Sequence, residues 1–213
     1  MITESAANRM LVEGRDDKHS VIHLMRRHSI DWESGEKDLP WIQDCGGFDS
    51  LVGSVTVSAK SYSRLGILVD ANTNINKRWN RIRSKLKATG ISAPSRPESG
   101  GTIVKGIYGD WKVGIWIMPD NERIGELEHF LEELIPPNDR CWAHADKTTK
   151  QAKKIGAKFV DKDYLKAKIH TWLAWQETPG LPFGTAITAA YLRHDSKEAL
   201  KFAAWFKRLF LTE

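Results

Sequence analysis

Short apolar runs alternate with segments of helical period along most of the chain. The run at residues 9–12 is too short for a helix, whereas the apolar residues that follow it recur at helical spacing. Such alternation of strand and helix predicts a mostly parallel sheet covered on both faces, with right-handed crossovers. Strands are predicted at residues 9–12, 41–45, 64–70, 102–108 and 112–118, the last two forming a hairpin, and helices at residues 48–60, 74–88 and 124–135.

The chain changes character after the two prolines at positions 136 and 137. The later segments are helical in period, at residues 139–155, 161–176, 185–192 and 196–211. The last helix has a wide apolar surface, which we expect to be covered by the rest of the fold rather than by a partner chain. We therefore predict an α/β domain over residues 1–136 and a helical C-terminal extension over residues 137–213, packed on the same domain.

An acidic residue follows the first predicted strand. Glu13 stands at its carboxyl end, Gly14 permits a sharp turn, and Asp17 falls in the first turn of the next helix, where a negative charge suits the helix dipole. Ligands of open α/β sheets bind at this edge. The residues alone leave open a simpler interpretation, in which these acids are solvated surface groups and a helix cap.

Two more predicted strands end on acidic residues. Asp70 ends the third strand and Asp120 follows the fifth, so three strands deliver carboxylates to what should be one edge of the sheet. On the helix predicted at residues 124–135, Glu128 lies at the border of the apolar stripe and can lean towards the strand ends. Glu126 is predicted to point away from that stripe.

Carboxylates from several strand ends, without a cluster of histidine or cysteine ligands, suit a hard cation such as Mg²⁺ or Mn²⁺. Two such ions about 4 Å apart can stabilise the attacking and leaving oxygens of phosphodiester cleavage. Zinc is disfavoured by the same ligand chemistry. The candidate acids are Glu13, Asp17, Asp70, Asp120 and Glu128.

The formal net charge of +5 and the pI of about 9.1 permit nucleic-acid binding without requiring it. Arg78 and Arg81 lie on one basic predicted helix, and Lys168 and His170 could reach a phosphate if the helical extension folds over the sheet edge. Acidic residues concentrate instead at residues 122–133. An acidic centre flanked by basic surface is the pattern expected for metal-assisted work on phosphates, although solvated helix faces would look similar.

The composition indicates an ordinary globular protein, with 41% hydrophobic and 28% charged residues. No apolar run approaches the roughly 20 residues needed to span a bilayer, so no membrane segment is expected. Residues 1–7 lack the basic start and apolar stretch of a secretory signal, and the two cysteines are too few for a disulfide framework. We therefore expect a cytoplasmic protein.

Four segments resemble motifs of the Toprim domain, which occurs in topoisomerases, primases and the nucleases of the overcoming-lysogenization-defect type. Residues 11–17 (Leu-Val-Glu-Gly-Arg-Asp-Asp) resemble its opening motif, and residues 66–72 (Gly-Ile-Leu-Val-Asp-Ala-Asn) resemble its second motif. With residues 116–121 and 125–128, the order and spacing resemble a small stand-alone Toprim-like family of poorly defined function. The resemblance implies a Toprim/Rossmann-like fold over roughly residues 9–135.

The resemblance makes Glu13 the catalytic-site glutamate and Asp70 a metal ligand. The chain departs from the motif at Asn72, where a second aspartate is usual, and this removes one anionic ligand. Asp120 and Glu128 would then substitute, as extra acids do in the nuclease branch.

The activity implied is Mg²⁺-dependent or Mn²⁺-dependent cleavage of nucleic-acid phosphodiesters, in defence or repair, with a homo-oligomer or a partner protein also compatible with the sequence. No tyrosine nucleophile or DNA-gating domain accompanies the motif, so a strand-passing topoisomerase is not expected. The alternative is a Toprim-like binding or regulatory module whose site is degenerate, and Asn72 is the feature that favours it.

Overall fold

A five-stranded sheet with the order β2-β1-β3-β5-β4 forms the centre of the computed structural model. The structure describes residues 7–33 and 38–211, so residues 1–6, on which the expectation about a signal segment largely rests, lie outside it. β4 is antiparallel to β5, and the other neighbours are parallel. The strands are β1 (Asn8–Val12), β2 (Trp41–Asp44), β3 (Arg64–Asp70), β4 (Thr102–Lys105) and β5 (Lys112–Met118).

Helices flank this sheet, and the prediction of an α/β fold is confirmed. No helix among the described residues is both long enough and apolar enough to cross a membrane. The helices are α1 (Arg15–Arg27), α2 (Phe48–Ser61), α3 (Ile75–Lys87), α4 (Leu127–Glu132), α5 (Arg140–Lys154), α6 (Tyr164–Leu173), α7 (Phe183–Thr188) and α8 (Lys197–Phe210).

Helix α4 is shorter than the predicted helix at residues 124–135. Gly125 has a φ of 142° and forms a two-residue β-bridge with Asn72, so the chain cannot be helical at that point. Ile124, which helical period placed on the apolar face, is 61% exposed because it precedes the bridge. Residues 124–126 thus belong to the turn that leads into α4.

The two faces of the sheet carry separate hydrophobic cores, as expected from the alternation of side chains along a strand. In β3, Ile67 contributes to the core under α2 and α3, and its neighbour Leu68 contributes to the core on the opposite face. That second core combines strand residues with apolar side chains of α1, α4, α6, α7 and α8. The helical extension therefore shares a core with the sheet, while a boundary at residues 136 and 137 stays a prediction.

Helix α8 packs directly on the sheet over two glycines. Gly66 of β3 and Gly114 of β5 are register partners, and a Cβ at Gly66 would lie 2.9 Å from the ring of Phe210. The absence of side chains at these positions lets the apolar face of α8 approach the strands. The prediction that this face is covered by the fold is confirmed, since Phe202, Trp205, Phe206, Leu209 and Phe210 are all fully buried.

Trp205 tests this packing. Its ring is fully buried, contacts Trp116 at 5.7 Å between centroids, and donates from Nε1 to the carbonyl of Thr102 at 3.4 Å. We expect Trp205→Ala to lower the free energy of unfolding by about 3–5 kcal/mol in urea denaturation, because a large cavity would remain. Leu200→Ala on the same helix, where the side chain is 51% exposed, should change it by less than about 1 kcal/mol.

Candidate functional site

The parallel pairing of β1 with β3 brings Glu13 and Asp70 together. Val12 is the register partner of Leu68, so the carboxyl ends of both strands meet at one edge of the sheet. Oε1 of Glu13 accepts a hydrogen bond of 2.9 Å from the backbone N–H of Asp70. Burial raises the pKa of Glu13, and this hydrogen bond and nearby Arg78 oppose that rise. The first two acids proposed from the sequence are thus neighbours.

Asp17 joins them from the first turn of α1. Its Oδ2 accepts from the backbone N–H of Gly14 at 2.9 Å, which is the capping role considered as the simpler interpretation. The side chain is nevertheless buried, and burial raises its pKa to about 7, with the charges of Glu13 and Glu128 adding to the rise. Asp17 therefore both caps the helix and faces the other acids.

Asp70 is the most perturbed of these groups. Its Oδ1 accepts from the backbone N–H of Leu127, the first residue of α4, at 2.9 Å. Burial raises the pKa of Asp70 to about 9, with further increments from nearby negative charges. We call the five mutually repelling acids the carboxylate cluster: Glu13, Asp17, Asp70, Glu126 and Glu128.

Glu126 is the member that the sequence did not predict. Helical period directed it away from the strand ends, but it precedes α4 and has an extended backbone, with φ of −136°. With its amide oriented to satisfy both neighbours, Asn72 donates from Nδ2 to Oε1 of Glu126 at 2.8 Å and accepts from Arg78. A possible signal was Gly125, whose presence directly before Glu126 could have indicated a turn rather than a continuous helix.

Asp120 takes a different place. Its Oδ1 accepts from the backbone N–H groups of Glu122 and Arg123 at 3.0 and 2.8 Å, and its Oδ2 accepts from Arg123 Nε at 2.5 Å. Burial alone would raise its pKa, but these hydrogen bonds outweigh burial and lower it. The structure therefore gives Asp120 the partners of a turn residue at the end of β5, whereas Glu128 is part of the carboxylate cluster.

A lysine of the C-terminal extension reaches the cluster, which the sequence did not indicate. Nζ of Lys166, on α6, lies 3.1 Å from Oδ2 of Asp16 and 3.2 Å from Oε1 of Glu128. One turn later His170 is exposed and stacks on Phe183, with ring centroids 4.8 Å apart. The sequence did not indicate Lys166 as a site residue, because its contacts with Asp16 and Glu128 join distant parts of the chain and leave no local sequence pattern.

The remaining basic residue proposed from this helix lies inside the protein. Lys168 is 9% exposed and its Nζ lies 3.6 Å from the centroid of the Trp142 ring. The same Nζ is 3.3 Å from Glu132 and 3.7 Å from Asp146. These contacts tie α6 to α4 and α5, so Lys166 and His170, rather than Lys168, are accessible basic groups near the cluster.

Beside Glu13 the surface opens into a cavity of about 380 Å³. Arg78 lies between this cavity and the carboxylate cluster, with its Nη1 3.9 Å from Oε1 of Glu13. Both arginines proposed for nucleic-acid binding line the cavity. The lining residues are Glu13, Phe48, Asp49, Ala71, Asn72, Thr73, Asn74, Lys77, Arg78 and Arg81.

The chemistry of the carboxylate cluster fits a hard divalent cation. Within residues 7–33 and 38–211, no three His, Cys, Asp or Glu side chains are placed to hold a metal ion in this arrangement. The donors are nevertheless all carboxylate oxygens, and burial, followed by the negative charges of neighbouring acids, raises the pKa of Asp17 and Asp70. A bound cation would supply the missing positive charge.

The pKa of Asp70 leads to a test of this electrostatic strain. The folded protein keeps the Asp70 proton up to a pKa of about 9, while the unfolded chain loses it near the ordinary value of 3.8. The contribution of Asp70 to the free energy of unfolding is therefore greatest below about pH 4 and falls as the pH rises towards 9.

Asp70→Asn keeps an oxygen for the N–H of Leu127 but cannot ionise. In EDTA we expect it to be more stable than the wild type by on the order of 2 kcal/mol near pH 8, and equally stable near pH 4, in urea denaturation. Asp110→Asn, at an exposed turn, should show no such pH-dependent gain. A gain that is independent of pH would contradict this explanation.

The family model described as "Protein of unknown function (DUF3226)" matches residues 7–211. No curated protein and no solved structure matched the chain. The matched range includes the whole sheet, the carboxylate cluster and the helical extension. The chain therefore belongs to the DUF3226 family of proteins of unknown function.

Proposed function

We propose that the protein is a metal-dependent enzyme that cleaves phosphodiester bonds of nucleic acid, with Mg²⁺ or Mn²⁺ as the cofactor. The observation that carries the proposal is the meeting of the carboxylate cluster with an arginine-lined cavity at one edge of the sheet. Phosphoryl chemistry needs both features, because a cation must be held and the negative charge of the substrate must be balanced. The Toprim-like order of the sequence motifs supports the same activity.

The positions of the acids suit them to different roles. Glu13, Asp70 and Glu126 would hold the ion, since they lie at the ends of β1 and β3 and at the start of α4. When bound, a divalent cation supplies an activated water and stabilises charge on the phosphate. Asp17, whose Oδ2 is held by Gly14, would exchange a proton beside Glu13.

The helical extension would contribute basic residues of α6 to the site, on the side of the carboxylate cluster away from the arginine-lined cavity. Lys166 contacts Asp16 and Glu128, and His170 is exposed one turn further along α6. Both can approach the backbone of a bound strand, where phosphate contacts position the nucleic acid without reading its sequence. A cytoplasmic location, and assembly with a partner protein or a second copy, remain predictions from the sequence.

A Toprim-like binding module without catalysis is the second candidate. Asn72 favours it, because a neutral amide occupies the place of an expected aspartate and is already bonded to Glu126 and Arg78. Such a module would bind nucleic acid but leave it intact. The two candidates differ in one outcome, which is cleavage.

Cleavage of plasmid, single-stranded DNA and RNA in Mg²⁺ or Mn²⁺ tests the proposal. We expect activity in the wild type, and a loss of about 100-fold or more in Glu13→Gln and Asp70→Asn, because each removes an anionic ligand. Asp120→Asn should retain activity within about 10-fold, since its carboxylate is engaged with Arg123.

Melting temperatures of the same variants show whether they are folded. Equal residual cleavage in the wild type, Glu13→Gln and Asp70→Asn would mean that a contaminant is responsible and would reject the enzyme. Binding by the wild type without cleavage of any substrate would support the module instead.

A further inference from the structure

We propose that the cavity beside Glu13 is a phosphate subsite, which holds one phosphate group of a nucleic-acid strand next to the carboxylate cluster. The inference rests on the proposed function, because it adds the place where the substrate is held. The cavity lies between the start of α2 and the first turns of α3, and its volume of about 380 Å³ accommodates such a group.

Arg78 is fixed in position before any ligand arrives. Its guanidinium carbon lies 3.8 Å from the centroid of the Phe48 ring, and one of its nitrogens donates to the side-chain oxygen of Asn72. Its side chain lines the cavity and is 20% exposed, so a ligand can reach the guanidinium from the cavity. A guanidinium carries five N–H donors in a planar fork, which matches the oxygens of a phosphate.

Arg81 provides a second cation one turn further along α3. Its guanidinium carbon is 4.8 Å from the centroid of the same Phe48 ring, and its Nη1 is 2.7 Å from Asp49. Because Asp49 is strongly exposed, this ion pair contributes little to stability, and a phosphate can replace Asp49 as the partner of Arg81. Phe48 thus supports two guanidinium groups that converge on one cavity.

The charges along the lining favour an anion. Lys77, Arg78 and Arg81 outnumber Glu13 and Asp49, and the lining also includes Asn74, the N-cap of a helix of 13 residues, whose N-terminal end is positive. Arg78 is also the group that lies 3.9 Å from Glu13. A phosphate bound by Arg78 would therefore be immediately next to the acids that we propose for catalysis.

Binding in EDTA measures the subsite without cleavage. The probes are a short single-stranded oligonucleotide with a 5′-phosphate and the same oligonucleotide with a 5′-hydroxyl. Binding of each is measured by fluorescence anisotropy. We expect Arg78→Ala to weaken binding about 10-fold and Arg81→Ala about 3-fold, with the salt dependence reduced by about one ion. Lys87→Ala, which removes a charge from the same helix but lines another cavity, should weaken it less than about 2-fold.

The two probes distinguish the source of the phosphate. If the 5′-phosphate strengthens binding in the wild type and not in Arg78→Ala, the subsite takes a terminal phosphate. If both probes bind equally and both lose affinity in Arg78→Ala, it takes an internal phosphodiester. Either result supports the proposal.

Normal affinity in Arg78→Ala and Arg81→Ala, or an equal loss in Lys87→Ala, would overturn it. Arg81 is the more exposed of the two arginines, so Arg81→Ala gives a reading even if Arg78→Ala does not fold. If the wild type cleaves but Arg78→Ala binds normally, only the subsite fails. If Arg78→Ala loses binding but the wild type never cleaves, only the enzyme proposal fails.

Discussion

The parallel pairing of β1 with β3 is the constraint on which the site depends. It places Glu13 and Asp70 at adjacent strand ends, where the backbone N–H of one residue binds the carboxylate of the other. Asp17 and Asp70 are each held by a further backbone N–H, so the cluster is maintained by main-chain donors despite its repulsion. The energy for this arrangement comes from elsewhere, chiefly from the apolar cores on both faces of the sheet.

The packing of α8 illustrates that support. Gly66 and Gly114 are adjacent in the sheet, and the apolar side chains of α8 fill the space above them. A helix that begins after residue 196 therefore stabilises strands whose other ends carry the acids. Lys166 connects the same C-terminal extension to the cluster itself. The extension is thus both a part of the core and a wall of the site.

The sequence was sufficient to predict β1 and β3 and the acids at their ends, because both are encoded locally, whereas the strand predicted at residues 102–108 ends at Lys105. Glu13 and Asp70 stand directly beside the apolar runs that form β1 and β3. Glu126 was misplaced, since a helical wheel applies only where the chain is helical and α4 begins one residue later. Lys166 depends on packing between distant segments, which hydrophobic period does not describe.

In the structure, Asn72 has a role of its own besides replacing the expected aspartate. It adopts a left-handed backbone, with φ of 51°, which asparagine tolerates well, and its backbone bridges to Gly125. Its amide joins Glu126 of the acidic region to Arg78 of the cavity. Position 72 therefore connects the proposed cation site with the proposed phosphate subsite, in place of a second anionic ligand.

The acids at the ends of β1 and β3 are proposed to bind a divalent cation. The most direct measurement is the anomalous diffraction of a crystal soaked in Mn²⁺ at neutral to slightly basic pH. We predict a manganese peak contacted by Glu13, Asp70 and Glu126, and no peak there in crystals of Asp70→Asn. Manganese absent from this position in the wild type, or equally present in the variant, would contradict a cation site at these acids.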